Sequence, residues 1–211
     1  MNIIPAILEK DFDEIKRKYD LVSRYCELVQ IDMADGNFVE NTTFLDFYRF
    51  SEIKGVATLE LHLMTENILS YLDSKIPNVS SICVHVESMD FNESALSQLW
   101  VLGYKIGVCL NPETSTDILH NFIDKVDFVQ FLAVQPGVQG GDFIDSVLDK
   151  IKDFKKLYPD VEVQIDGGIN NDSISKLLNL GVDNVVIGSA IFAGEDPVKN
   201  LIEFKTAYGN K

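Results

Sequence analysis

The chain has 211 residues, 46% of them hydrophobic and 24% charged, enough for one sizeable core and far from a disordered or fibrous composition. Its 33 acidic residues against 18 basic ones leave a formal charge of -15, which argues against nucleic acid and membrane as partners. The same field repels small anionic metabolites, so a phosphate site would have to be built locally, from backbone N–H groups.

The first residues, Met1 to Asp11, carry no basic leader and only a short apolar run, and no stretch approaches the ~20 apolar residues of a membrane span, so a cytoplasmic location is expected. Strand-like apolar runs then recur at 3–8, 28–33, 58–64, 81–87, 105–111, 127–134, 162–166 and 184–191. Amphipathic patterns between and after them predict helices at 11–25, 70–75, 93–102, 114–123, 143–157, 172–180 and 197–208. Gly103 and Gly181 follow helical runs, Pro159 follows the longest one, and Thr114 or Ser115 and Asp172 are expected N-caps. Cys26, Cys83 and Cys109 are an odd, widely spaced set without a C-x-x-C pair, which excludes zinc-ribbon and thioredoxin-like readings.

Eight strands alternating with helices predict a parallel sheet with right-handed crossovers. The length fits a closed (β/α)8 TIM barrel, a single domain over 1–211. An open doubly wound sheet is disfavoured because no G-x-G-x-x-G follows the first strand. No composition shift, linker or charge block marks a second domain.

Asp32 and Asp166 stand out within this frame. Each follows a glutamine by two residues, in Gln30-Ile31-Asp32 and Gln164-Ile165-Asp166, and each ends a β-branched run where an ionised carboxylate is costly unless compensated. Alternation places Gln30 with Asp32, His62 with Met64, and Gln164 with Asp166 on one strand face, and leaves Val29, Ile31, Leu61, Leu63, Val163 and Ile165 for the helices. The polar set then faces the barrel interior at the C-terminal strand ends, where barrels place catalysis. Alone, each of these residues has an ordinary structural explanation, as a packed core histidine or a loop cap. Together at strand ends of one parity, Asp32, His62 and Asp166, with Gln30 beside them, suit a divalent metal: zinc, iron, manganese or cobalt, with magnesium admitted if Gln30 lends an oxygen donor. Two carboxylates beside such an ion offer a base and an acid for proton abstraction next to a carbonyl.

Gly167 and Gly168 after the seventh strand, and Gly188 and Ser189 after the eighth, lie where barrels commonly bind phosphate. The loop Val134-Gln135-Pro136-Gly137-Val138-Gln139-Gly140-Gly141 has the glycine content either of a segment that closes over a ligand or of an ordinary turn.

These motifs, in this order, resemble the ribulose-phosphate 3-epimerase family from end to end. Ile4-Pro5-Ala6-Ile7-Leu8 resembles its A-P-S-I-L opening, and Gln30 to Asn41 its H-V-D-V-M-D-G-H-F-V-P-N. His62-Leu63-Met64, His85-Val86-Glu87, Gly107 to Pro112, Pro136-Gly137, Asp166-Gly167-Gly168-Ile169 and Gly188-Ser189-Ala190 fall on further landmarks. The resemblance implies an isomerase on a phosphorylated ketose, with Asp32 and Asp166 as the catalytic acid/base pair. It implies a divalent metal on Gln30, Asp32, His62 and Asp166, a substrate contacted by Met64, Gly137, Gly140, Gly167, Gly168, Gly188 and Ser189, and a homo-oligomer. The chain departs from the family at Gln30 for a metal histidine, at Ala6 for a serine, at Ala34 and Leu132 for methionines, and in the loop 135–141. Epimerisation of another ketose phosphate, such as a ketohexose 6-phosphate, and a phosphate-binding barrel without turnover are the alternatives. A decarboxylase or aldol-type reading lacks the lysine of D-x-K-x-x-D, since Asp32-Met33-Ala34-Asp35 has none.

Overall fold

A computed structural model of the chain describes residues 1–137 and 140–209. The apolar runs pair in sequence order: β1 (Asn2–Ile7), β2 (Leu28–Ala34), β3 (Thr58–Met64), β4 (Val79–His85), β5 (Lys105–Leu110), β6 (Phe128–Leu132), β7 (Glu162–Asp166) and β8 (Asn184–Ile187). All pairings are parallel, and β8 closes on β1 from Asn2↔Asn184 to Pro5↔Ile187, which makes a complete (β/α)8 barrel.

Helices α1 (Phe12–Val22), α2 (Glu93–Val101), α3 (Ser146–Leu157), α4 (Asn171–Lys176), α5 (Ser189–Phe192) and α6 (Pro197–Tyr208) lie between or after the strands. Helix α1 shows how capping and an apolar stripe seat a helix on the barrel. Asp11 accepts a hydrogen bond from the Glu14 N–H, acidic residues fill the first turn, and Phe12, Ile15, Tyr19 and Val22 form the stripe that packs on the barrel. At α6, Asp196 caps the Lys199 N–H and Pro197 supplies a preset first turn.

Several connections differ from the sequence expectation. The segments at 70–75 and 114–123 are not α-helices: 3-10 turns occupy Ile68–Tyr71, Thr116–Asn121 and Ile123–Lys125, since in short connections docking on the barrel, not intrinsic helix formation, decides the geometry. The crossover from β2 to β3 likewise holds only a 3-10 turn, Phe47–Glu52. The eighth strand ends at Ile187, where Gly188 turns the chain into α5. The cap of α4 is Asn170 rather than Asp172; its side chain accepts from the Asp172 and Ser173 N–H groups while Ser173 Oγ accepts from the Asn170 N–H. Ser115 does cap its turn. Val138 and Gln139, in the loop expected to close over a ligand, lie outside the described residues. Among the described residues, no helix is long and apolar enough to cross a membrane.

Strand alternation sorts the side chains into two environments. Val29, Ile31, Leu61, Leu63, Val163 and Ile165 are fully buried in the core between barrel and helices. The opposite parity fills the barrel itself, partly with Cys83, Cys109, Phe128, Leu132 and Val134 and partly with a polar column. Gly107 makes room for that filling, since a Cβ there would come within 2.1 Å of Phe128 Cζ. Gly107→Ala is therefore expected to cost about 1–3 kcal/mol of stability through overpacking, read by denaturant unfolding, and Phe128→Leu should recover part of that loss in the Gly107→Ala background.

Candidate active site

The polar column has two storeys. In the lower one, Gln30 pairs in register with Glu60, and Gln130 with Gln164. All four side chains are buried. Gln164 Nε2 donates to Glu60 Oε1 at 2.5 Å and to Gln130 Oε1 at 2.7 Å, with Gln30 Oε1 3.3 Å from the same nitrogen. Ser81 Oγ donates to the other Glu60 oxygen at 2.7 Å. Burial pushes the Glu60 carboxyl up, against the lowering effect of the Ser81 and Gln164 bonds.

The upper storey holds Asp32, His62 and Asp166. Gln30 Nε2 reaches up to donate to Asp32 Oδ1 and to Asp166 Oδ2, both at 2.8 Å. His62 Nδ1 lies 3.0 Å from Asp32 Oδ1 and 3.5 Å from Asp166 Oδ2. Gln130 Nε2 adds a longer bond to Asp166 Oδ2, 3.3 Å. Burial first, and then the charge of Asp32, push Asp166 up to about 7. Asp166 is therefore partly protonated at neutral pH when no cation is present. Burial opposes a charge on His62, but its hydrogen bond to Asp32 raises its pKa well above the usual imidazole value.

Asp32, His62, Met64, Gly137, Gly140, Asp166, Gly167, Gly168, Gly188 and Ser189 line a single cavity at the C-terminal mouth, together with Ala6, Leu8, Leu132, Val134, Ile169 and Val186. Gln30 sits beneath it, fully buried. Among the described residues the lining contains no Lys or Arg. Gly168 has φ +66°, and a Cβ there would lie 2.7 Å from the Phe143 backbone, so the turn after β7 brings main chain right up to the mouth. Gly140 approaches the same corner from the loop after β6, with Ser189 Oγ 3.8 Å from where its Cβ would stand.

The donor atoms fit a divalent cation. A tetrahedral ion with bonds of about 2.0–2.2 Å needs donors roughly 3.3 Å apart. The His62–Asp32 and His62–Asp166 edges are 3.0 and 3.5 Å, and the Gln30 amide nitrogen stands 2.8, 2.8 and 3.5 Å from Asp32, Asp166 and His62. The amide thus stands near the fourth corner, and a half-turn about its last bond would exchange the nitrogen there for the carbonyl oxygen.

Sequence reasoning assigned no role to Glu60, Gln130, His85 or Glu87. Strand parity marks Glu60 with His62, and Gln130 within Phe128–Leu132, as interior residues, so that signal was available. Behind the mouth, His62 Nε2 meets His85 Nε2 at 3.0 Å, and His85 Nδ1 lies 3.1 Å from Glu87 Oε2. Cys109 lies close enough to both rings to suggest a second metal cluster. The two imidazoles are nearly coplanar (20°), with centroids 5.1 Å apart, so their nitrogens meet head on as a hydrogen bond and not as a chelating pair.

Comparison with known proteins agrees with this architecture. The ribulose-phosphate 3-epimerase of Bacillus subtilis is 30% identical over 97% of this chain and 98% of its own. That of Helicobacter pylori strain J99 is 31% identical over 93% of both chains. Among solved structures, a 3-hexulose-6-phosphate synthase superposes with TM-score 0.68 at 15% identity, covering 98% of this chain and 99% of the other. A mutant tryptophan synthase α-subunit from Pyrococcus furiosus gives 0.70 at 16% identity, covering 96% and 95%. At these identities the structural likeness speaks for the fold. The sequence model of the ribulose-phosphate 3-epimerase family matches residues 2–192, and the chain belongs to that family.

Proposed function

We propose that this barrel epimerises C3 of a ketose phosphate, interconverting D-ribulose 5-phosphate and D-xylulose 5-phosphate. The observation that carries this reading is the convergence of Asp32 and Asp166 on one amide nitrogen at the floor of the mouth. Inversion by proton transfer needs a base on one face of the carbon and an acid on the other. A carboxyl pair in which burial and mutual repulsion keep one proton supplies both at once. One aspartate removes the C3 proton to give an enediolate, and the other returns a proton from the opposite face.

Gln30, Asp32, His62 and Asp166 would hold a divalent ion at the floor. When bound, it would supply Lewis-acid charge that eases removal of a proton next to a carbonyl. The residues of the chain do the rest. Met64, Leu132, Val134 and Val186 wall the cavity with apolar surface that excludes water, and His62 keeps Asp32 oriented. The phosphate is taken by main-chain N–H groups around Gly140, Gly167, Gly168, Gly188 and Ser189, since among the described residues the lining offers no Lys or Arg. A homo-oligomer remains part of the proposal on family likeness.

Three measurements test it. Asp32→Asn and Asp166→Asn should each lower kcat for ribulose 5-phosphate by at least ~10²–10⁴-fold with the fold intact by circular dichroism, because neither group covers for the other. Near-normal turnover in either variant rules out the paired mechanism.

Free ribulose should be a far poorer substrate than its 5-phosphate, because anchoring energy from the remote phosphate is lost. Equal kcat/KM for the two would remove the phosphate site from the proposal.

Gln30→His should tighten zinc binding by about 10–100-fold in a chelator competition, with the wild type favouring manganese or magnesium relative to the variant, as expected when a neutral oxygen donor replaces imidazole. Unchanged zinc affinity would show that Gln30 is not a ligand.

A further inference from the structure

We infer that His85 and Glu87 are positioning residues which fix the tautomer of His62, so that its Nδ1 lone pair is directed at the site between Asp32 and Asp166. The inference rests on the metal reading above and adds two residues that touch neither ion nor substrate. Its basis is an unbroken chain: Asp32 Oδ1 to His62 Nδ1 at 3.0 Å, His62 Nε2 to His85 Nε2 at 3.0 Å, and His85 Nδ1 to Glu87 Oε2 at 3.1 Å.

The far end of that chain sets the direction of every proton in it. Glu87 Oε1 accepts from the Asn111 N–H at 2.9 Å and from Thr114 Oγ1, so the carboxylate is held by the loop after β5 with Oε2 turned to His85. Lys150 fixes that loop from α3, with Nζ donating to the carbonyls of Asn111 at 2.9 Å and Thr114 at 2.8 Å. The Phe38 ring lies 4.7 Å from the His85 ring and confines its face.

Facing a carboxylate that only accepts, His85 Nδ1 must carry a hydrogen. A neutral His85 then has its lone pair on Nε2 and can only accept from His62, so His62 carries its hydrogen on Nε2. That leaves Nδ1 of His62, which faces Asp32 Oδ1 at 3.0 Å, as the ring atom whose hydrogen a bound cation would replace. The opposite tautomers would set a lone pair of His85 against Glu87 and an N–H of His62 against the ion. Backing of this kind is how proteins orient an imidazole ligand and raise its basicity.

Glu87→Gln tests the assignment with nearly unchanged shape. With its amide oxygen kept by Asn111 and Thr114, the glutamine presents N–H to His85 Nδ1 and reverses the whole chain. Zinc affinity of the intact protein, by chelator competition, should fall about 10–100-fold. Ring ¹⁵N NMR should show the His85 hydrogen on Nδ1 in the wild type and on Nε2 in the variant, a change that loss of stability alone does not produce. A wild-type His85 protonated on Nε2 overturns the inference, and so does a folded Glu87→Gln protein with wild-type zinc affinity. The wild-type spectrum decides even if the variant fails to fold. Absence of zinc binding by the wild type would sink the metal reading separately, and the position of the His85 hydrogen in the metal-free protein would still decide the role of Glu87.

Discussion

A carboxylate inside a barrel must be solvated by the protein itself, and this barrel buries three: Glu60, Asp32 and Asp166. Without compensation such burial costs several kcal/mol per charge. Among the described residues the lining of the mouth has no lysine or arginine, so the compensation comes from amides, a hydroxyl and the imidazole of His62. Ser81 and Gln164 serve Glu60, and Gln30 and Gln130 serve the two aspartates. Gln164 ties these sets together by donating its two amide hydrogens to Glu60 and Gln130, with Gln30 Oε1 3.3 Å from the same nitrogen. The lower storey is thus a rigid base that aims two amide nitrogens upward. Its incompleteness has consequences, because amides reduce the cost of the charges without cancelling them. What remains is the drive for the pair to hold a proton or a cation, and both are what epimerisation requires.

Strand register converts this local chemistry into a site. Asp32 faces His62 across β2 and β3 in the same register that sets Gln30 against Glu60 one storey down. Asp166 stands at the end of β7, directly above Gln164 on the same face. Because adjacent parallel strands hold their partners at fixed spacing, a shift of one residue would turn both storeys outward and put Val29, Ile31 and Val163 inside. The apolar packing of those residues against the helices therefore helps to hold the catalytic geometry, even though none of them approaches the mouth.

The same periodicity explains what could be read from the sequence. Strands β3 and β7 and helix α6 match their expected limits residue for residue, because each is a strongly patterned run with clear boundaries. Asp32, His62 and Asp166 were legible as a site because ionisable residues at apolar strand ends are costly and shared one parity. Of the lower storey, strand parity placed Gln30 and Gln164 on the interior face but not their partners, since which side chains meet is hidden until the strand across the barrel is known. The Gln164–Gln30 contact spans 134 residues of sequence. His85 and Glu87 were hidden for a related reason: their use depends on the head-on meeting of two rings from β3 and β4. The short 3-10 connections escaped because tertiary docking, not periodicity, decides them.

A net charge of -15 is at first sight ill-suited to an anionic substrate. The mouth answers this locally. The last two strands end in turns whose glycines let main chain, rather than side chains, form the rim, and α4 and α5 begin there. Main-chain N–H groups present partial positive charge at fixed positions without the long reach of a lysine, which would pair with Asp32 or Asp166 and lower the carboxyl pKa. A cationic rim would therefore tighten phosphate binding at the expense of the proton that the carboxyl pair retains. Ala6, Leu132 and Val186 on the wall follow the same logic: small or apolar side chains add no donor that competes with Gln30 for the carboxylates. In the proposed reaction, recognition of the anion and retention of a proton are compatible because they draw on different parts of the chain, the backbone for one and a set of buried side chains for the other.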